Sequence, residues 1–466
     1  MLYRILKFLF RITFRVFFRN TFKHHAENIP ADGPLIICAN HPGAFLDPII
    51  IASIVNRKVY FLAKGSVFKG RFANWFFSKL HMIPVYRAQD DPSQMHRNAE
   101  TFSKCYDHLG NGGTILIFPE GISLTERKLR PLKTGAARIA LGAEEKFGWK
   151  LGVKIACVGL NYEDPHHFRH DVYIGFSETI DVKTYEEEFR KDDHAASEKL
   201  TEEIRKRLEA QMIITEDAEA DELVQQVERL YKHQILEHNR IDKRDKETEF
   251  ELTKRIAAAV KFYRESDPKR AMRVTSEIKD YFERLEEMGL SDKVVEKSGS
   301  GSIGFRAILD LLYTIIGFPF YVFGLIHNCL PFFSASLLSK KLLKEIEWKG
   351  AVGVAAGMLF FLIWYATLGI LSWHFFHKWG ISIHPGWLTL AYILSWPITG
   401  MLAWFYYRRV YYISKRWLLI SLFFKRSSMV AELVLMRNRL IKEFDEIAEE
   451  RRAVNGSLAG RQSEVK

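Results

Sequence analysis

Cysteine is scarce in this 466-residue chain. Its four cysteines are Cys38, Cys105, Cys157 and Cys329, and no two lie close enough to form a CxxC metal or redox motif. Three of them fall in the soluble part, an odd number that gives no disulfide framework and suits a reducing, cytosolic setting. Zinc-finger spacing is missing, as is any Lys/Arg tract of a nucleic-acid module, so no nucleic-acid partner is expected. The formal charge of +11 then points to a phospholipid surface. There is no GxSxG elbow, which argues against a covalent serine intermediate. Between 178 and 297 the only glycine and proline are Gly289 and Pro268, a composition of helices rather than turns.

Aromatic residues, by contrast, make up 14% of the chain, and they are segregated with the other apolar residues into a few stretches. In residues 1–23, Arg4, Lys7, Arg11, Arg15, Arg19 and Lys23 recur at helical spacing among leucines, isoleucines and phenylalanines. At about 100° per residue the basic positions form one drifting stripe, the pattern of an amphipathic helix lying in an anionic lipid interface. A signal peptide fits poorly, because charges interrupt the apolar run and no small-residue cleavage site follows.

Residues 24–177 alternate strand and helix patterns. The spacing predicts strands at Leu35–Ala39, Val59–Leu62, Ile83–Tyr86, Thr114–Phe118, Lys154–Leu160 and Asp171–Phe176, with helical patterning in Gly70–Leu80 and Gln94–His108. Such alternation implies an α/β domain with a largely parallel sheet. Residues 178–297 are dominated by charge, with apolar residues at helical intervals, and read as an appended bundle of solvated helices. A linker follows at 298–306. Its Gly299, Gly301 and Gly304 satisfy GxGxxG, but no strand precedes them, so it reads as a hinge and not a dinucleotide loop.

The membrane region spans 307–407. The stretches 351–373 and 387–407 are uncharged and long enough to cross a bilayer. The stretch 307–338 is interrupted by Pro319 and Pro331 and carries Asp310, His327 and Asn328, so a re-entrant hairpin is expected there. Lys340, Lys341 and Lys344 precede the first span, and Arg408, Arg409, Lys415 and Arg416 follow the second. The 374–386 loop has only Lys378. The positive-inside rule therefore predicts a multi-pass protein with both flanks and the catalytic domain on the cytosolic side. Residues 408–466 form a helical tail.

The chemistry concentrates in Asn40, His41, Pro42, Gly43, Ala44, Phe45, Leu46, Asp47 and Pro48. His41 follows a strand, at the sheet edge where parallel α/β folds bind ligands. Six residues turn a helix by about 240°, so one continuous helix would hold His41 and Asp47 apart; a turn at Pro42 and Gly43 can bring them together. An imidazole oriented by a carboxylate is a general base suited to a hydroxyl nucleophile. Phe118, Pro119, Glu120 and Gly121 follow another strand. The block His81–Arg87 ends in an arginine suited to phosphate, and Lys133, Thr134 and Gly135 open a small-residue helix whose N-terminus could face an anion. His166, His167 and His170 lie near Asp164 and Asp171, but without a second ligand cluster they read as a solvated loop, and no metal is expected.

Taken in order, these blocks resemble the PlsC-like family of glycerol-3-phosphate and 1-acylglycerol-3-phosphate acyltransferases across roughly residues 30–180. They match its NH…D box, its GxIPxxR-like block, its FPEG box with the following KTG segment, and the apolar strand 153–160. The resemblance implies a membrane-bound α/β acyltransferase of phospholipid biosynthesis without cofactor, its co-substrate an acyl-CoA or acyl carrier protein thioester. It implies His41 as base and Asp47 as its orienting partner. Arg87 would hold the acceptor phosphate, Glu120 and Gly121 would position the acceptor, and Lys64 and Lys133 would assist binding. Five residues separate His41 from Asp47 where the family usually has four. That variant resembles the branch containing yeast glycerol-3-phosphate acyltransferases, which favours glycerol 3-phosphate as acceptor, with lysophosphatidic acid next. A lysophospholipid remodelling acyltransferase and a catalytically silent membrane scaffold are the alternatives.

Overall fold

A computed structural model describes residues 1–463 apart from 69, 88–90, 239, 243–244, 297–302, 343–345, 380–383 and 426. The chain divides into two compact units, Met1–Thr215 with Leu338–Ala356, and Glu216–Leu337 with Gly357–Lys466. Most of the expected hinge at 298–306, including Gly299 and Gly301, lies outside the described residues.

In the first unit the described residues form an eight-stranded sheet. Its strands are β1 (Thr21–His24), β2 (Leu35–Ala39), β3 (Val59–Lys64), β4 (Met82–Val85), β5 (Thr114–Ile117), β6 (Lys154–Tyr162), β7 (Val172–Phe176) and β8 (Ile180–Asp181). Their order is β1-β7-β6-β2-β5-β3-β4, with β8 against β6. Only the β6–β7 and β6–β8 pairs are antiparallel. The fold is therefore α/β with a largely parallel sheet.

Two helical layers cover it. On one face lie α1 (Leu2–Phe17), α2 (Leu46–Ile54) and α3 (Arg71–Lys79), the last two carried there by right-handed crossovers from β2 and β3. On the other lie α4 (Asn98–Gly110), α5 (Gly135–Lys146), the short α6 (Glu186–Lys191) and α7 (Asp193–Ala210). Strand β2 is buried throughout because both its faces are covered. Leu35, Ile37 and Ala39 pack toward α1 and α2, while Ile36 and Cys38 pack toward α5 and α7.

The unit is larger than the stretch 24–177. At its start, Phe14 and Phe18 are buried in the core, and Lys7 and Arg11 donate to the carbonyls of Ser53, Val55 and Arg57 at the end of α2. Cations there satisfy orphan carbonyls and the negative end of the helix dipole. Part of the basic stripe thus serves the domain itself. At its end, Leu200, Ile204 and Leu208 of α7 lie in the core beside Ile155 and Cys157, so α7 covers the sheet, and the chain up to Thr215 belongs to this unit and not to a solvated bundle. A full charge complement on α7's outer face hid its apolar i, i+4, i+8 seam.

The second unit joins two segments that are remote in sequence. Its helices are α8 (Ala218–Val227), α9 (His233–His238), α10 (Lys246–Ser266), α11 (Pro268–Glu287), α12 (Asp292–Glu296), most of α13 (Ile303–Leu342) and of α14 (Ile346–Lys378), α15 (Pro385–Lys425) and α16 (Ser427–Ser463); the end of α13 and the start of α14 belong to the first unit. The tail helix α16 packs along α11 and α12. Arg270 pairs with Glu443 at 2.7 Å and with Glu450 at 2.9 Å, Arg437 pairs with Asp292 at 2.8 Å, and Tyr231 bonds Asp445.

Three stretches, Ala307–Ser339, Val352–Lys378 and Gly386–Lys425, are long and apolar enough to cross a membrane. The first corrects the expectation of a hairpin at 307–338, because α13 runs unbroken through Pro319 and Pro331. A proline removes one N–H and frees the carbonyl four residues back. For Pro331 that carbonyl belongs to His327, and it accepts instead from the Trp364 indole at 2.9 Å. Neighbouring helices can satisfy the backbone a proline frees in an apolar setting. Asp310 and His327 of α13 are buried and Asn328 is partly so, and all three are paired. His327 meets the Tyr392 hydroxyl at 2.6 Å, Asn328 donates to the Trp396 carbonyl at 3.1 Å, and Asp310 pairs with Arg409 and Arg416.

Candidate active site

Strands β2 and β5 are parallel neighbours, with Cα partners from Leu35↔Thr114 to Cys38↔Ile117. Residues that follow them therefore emerge side by side at one sheet edge. His41 comes from the first and Glu120 from the second.

The turn after β2 is pinned before it reaches the histidine. Asn40 is buried, and its side-chain amide donates to the Leu160 carbonyl at 3.0 Å and accepts from the Leu160 N–H at 2.7 Å. Its amide extends the β2–β6 ladder by one step after the backbone has turned away. Ala44 then takes a positive φ of 47°, and α2 begins at Leu46 with Asp47 in its first turn.

This folding brings His41 and Asp47 together. The Nδ1–H of His41 donates to Asp47 Oδ2 at 2.8 Å, and the Gly43 N–H donates to the same oxygen at 2.8 Å. The other oxygen accepts from the Tyr162 hydroxyl at 2.7 Å. Asp47 is fully buried and saturated by these donors. Gly43 is required here, since an added Cβ would lie 2.7 Å from Asp47 Oδ1. The His41 ring stacks on Phe118 with centroids 3.9 Å apart and planes 12° from parallel, which fixes its orientation. Burial, and then the facing Asp47 carboxylate, push the Tyr162 phenol well up, so it stays a donor.

Glu120 is tied to the backbone on both sides. Its carboxylate accepts from the backbone N–H of His41 at 3.2 Å and from that of Arg130 at 3.1 Å. Burial raises its pKa and these two N–H groups oppose the rise. It braces the turn at His41 through that residue's N–H. The loop beyond it laces to the same turn: Ser123 Oγ donates to the His41 carbonyl at 2.8 Å and accepts from the Ala44 N–H at 2.9 Å.

A second group forms around Gly121. Arg87 donates to the Gly121 carbonyl, and Lys133 Nζ lies 3.1 Å from where a Cβ on Gly121 would sit. Gly121 has a φ of 71°. Arg87, Gly121 and Lys133 thus converge, and the Phe118–Gly121 turn links them to His41. Lys64 ends β3 opposite Val85 at the same sheet edge. Among the histidines set aside as a loop, His167 pairs with Asp164 at 2.7 Å, His170 lies 3.6 Å from Glu163, and His166 meets Thr125 at 3.2 Å. They face separate partners and not a common centre.

Three contributors had no role in the sequence reading. Tyr162 lies 115 residues from Asp47 and ends a strand by the same pattern as any core tyrosine. Asn40 was visible as part of the NH…D box, but its ladder-extending bonds depend on β6 being the neighbour. Ser123 carries no local signal.

Residues 20–160 match the family model described as Acyltransferase, and this part of the chain is an acyltransferase domain. Glycerol-3-phosphate O-acyltransferase 1 of Saccharomyces cerevisiae is 25% identical to the chain over 81% of its length. Glycerol-3-phosphate O-acyltransferase 2 of the same yeast is 23% identical over 69%. The chain spans 62% and 56% of these two relatives. The 1-acyl-sn-glycerol-3-phosphate acyltransferase of Bacillus subtilis is 30% identical over 25% of the chain and 54% of its own length. Among solved structures, the 1-acyl-sn-glycerophosphate acyltransferase PlsC of Thermotoga maritima covers 43% of this chain and 78% of its own. It does so at 24% identity and a TM-score of 0.31.

Proposed function

We propose that the protein is a membrane-bound O-acyltransferase that transfers a fatty acyl group from an acyl-CoA or acyl carrier protein thioester to a glycerol-phosphate hydroxyl in phospholipid biosynthesis. The observation that carries this reading is the buried Asp47, which holds His41 by Nδ1 and so presents Nε2 as the base. Nε2 takes the acceptor's hydroxyl proton as the oxygen attacks the thioester carbonyl. The tetrahedral intermediate collapses, the C–S bond breaks, and the imidazolium returns its proton to the leaving thiolate. No acyl-enzyme forms. Arg87 and Lys133, with Lys64 at the same edge, bind the acceptor phosphate. Similarity to yeast glycerol-3-phosphate acyltransferases over most of the chain supports glycerol 3-phosphate as acceptor, and the Bacillus relative supports lysophosphatidic acid.

The reaction takes place at the cytosolic face. Helices α11 and α12 precede the apolar stretch 303–425 and α16 follows it, yet they pack together. Asp310, near the start of α13, pairs with Arg409 and Arg416, late in α15. These contacts support a chain that enters and leaves the membrane on one side, with an even number of the three apolar helices crossing. The cluster Arg408, Arg409, Lys415 and Arg416 favours the cytosol as that side.

The test is an assay of membranes containing the protein, with labelled acyl-CoA and acyl carrier protein donors. Glycerol 3-phosphate, dihydroxyacetone phosphate and lysophosphatidic acid are compared as acceptors. His41→Ala should lower kcat by about 10²–10⁴-fold, the usual worth of a general base. Equal activity in wild type and variant sinks the mechanism. Labelling of Trp379→Cys by an impermeant thiol reagent from the cytosolic side would overturn the topology.

A further inference from the structure

One face of the acyltransferase domain is built to lie on lipid, and α1 is only part of it. Residues 1–26 and 48–89, which supply α1, the end of α2, β3, α3 and β4, contain no aspartate or glutamate. Arg4, Arg15, Arg71 and Lys79 are exposed on the helices of this face. The opposite layer exposes acids instead, among them Glu100 on α4, Glu145 on α5 and Glu198 on α7. The charge asymmetry follows the two sides of the sheet.

The apolar exposure follows it too. On α1, Ile5, Phe8, Ile12 and Val16 form an exposed ridge at helical spacing. On α3 no residue is buried, Phe72 is 74% and Trp75 54% exposed, and Phe76 stacks on Phe72 with centroids 6.0 Å apart. The two helices meet at one corner. The Tyr3 ring lies 5.3 Å from that of His81, just past α3, and the Tyr3 hydroxyl accepts from the Val59 N–H at 3.2 Å. Outward aromatic side chains flanked by cations, on two helices that carry no acid, match the headgroup and upper acyl layer of an anionic bilayer.

We propose that this face docks on an anionic phospholipid surface, with α3 inserting Phe72 and Trp75 beside the α1 ridge. Helix α3 joins β3, which ends at Lys64, to β4, which leads to Arg87. Lipid contact at α3 therefore brings the cationic edge of the candidate site to headgroup level. The docking does not depend on the acyl-transfer reading, and its test reads no activity.

The full chain carrying Cys329→Ser and Phe72→Cys is labelled with bimane and reconstituted in vesicles of phosphatidylcholine mixed with phosphatidylglycerol. The three remaining native cysteines are buried. The fluorescence should be lost with lipids brominated on their acyl chains and kept with aqueous iodide. A second chain with Lys104→Cys, on the opposite layer, should show the reverse. Iodide quenching at position 72 would overturn the proposal, as would protection from both quenchers, the mark of a protein partner covering α3. If Phe72→Cys does not fold, Trp75→Cys gives the same reading.

Discussion

Replacing Tyr162 by phenylalanine removes one oxygen and leaves the ring, which packs at 5.9 Å against Phe18. The lost group is the only donor to Asp47 Oδ1 among the described residues, on a carboxylate that is fully buried. A hydrogen bond to a charged group contributes about 1.5–3 kcal/mol, and a buried oxygen left without its donor forfeits that much. In the proposed mechanism the same carboxylate stabilises the imidazolium that forms on His41 during transfer. If the whole loss falls on that state, kcat drops about 10–150-fold, since each 1.36 kcal/mol is tenfold. Because the Tyr162 hydroxyl bonds Asp47 alone among the described residues, KM for both substrates should stay near the wild-type value. Steady-state kinetics on purified protein, with a thermal melt of the same sample, separate the two effects. A lower melting temperature with kcat within about twofold of wild type would refute a positioning role. So would a raised KM at unchanged kcat.

Two further outcomes follow, one from the same contacts and one from the cluster at the end of α1. Gly43→Ala sets a methyl carbon 2.7 Å from Asp47 Oδ1. Shifting the carboxylate by even part of an ångström should lower kcat by up to about 10²-fold, and overpacking adds about 1–3 kcal/mol of instability; wild-type kinetics in this variant would refute the tight fit. The third concerns pH. Burial alone would raise the Glu163 carboxyl, but His170, the Asp171 N–H and Arg19 outweigh it and hold it at about 2. A depressed carboxyl contributes stability above its ordinary 4.5, and that contribution is lost as pH falls from there toward 2. Arg19 also bonds Asp171 at 2.6 Å, so the cluster fastens the chain after α1 to the β6–β7 turn. Amide exchange at residues 17–24 should quicken across that window, and Glu163→Gln should be quick already at neutral pH. An acid response that survives in Glu163→Gln would assign the loss elsewhere.

The sheet was legible because its strands are buried on both faces and so stand out as short apolar runs between helical patterns. All six runs predicted from spacing occur, within a residue or two at most ends. Strands β1 and β8 escaped notice. The first is Thr, Phe, Lys and His, whose pairing with β7 only the fold supplies, and the second is two residues long. The His41–Asp47 pair was legible through the turn residues between them. What stayed hidden depends on contacts far apart in sequence: Tyr162 on Asp47, Asn40 on Leu160, and Trp364 on the carbonyl that Pro331 frees. Glu120 was legible at a strand end, but its bonds to the backbone N–H groups of His41 and Arg130 were not.

The union of α16 with α8–α12 has a consequence for how the protein is made. Tyr231 and Asp445 are 214 residues apart, and Arg270 and Glu443 are 173 apart. The amphipathic helices between 218 and 296 leave the ribosome first, then wait while three apolar helices are delivered to the bilayer. Until residue 450 is synthesised, Arg270 lacks both its acids and the groove beside α11 stands open. The first unit is made mostly before the apolar helices, but it too takes a late piece, because Leu338–Ala356 belongs to it and Val354 is buried in its core. The second unit depends on the order of synthesis more heavily: its two halves can close on each other only after the apolar helices between them have been made.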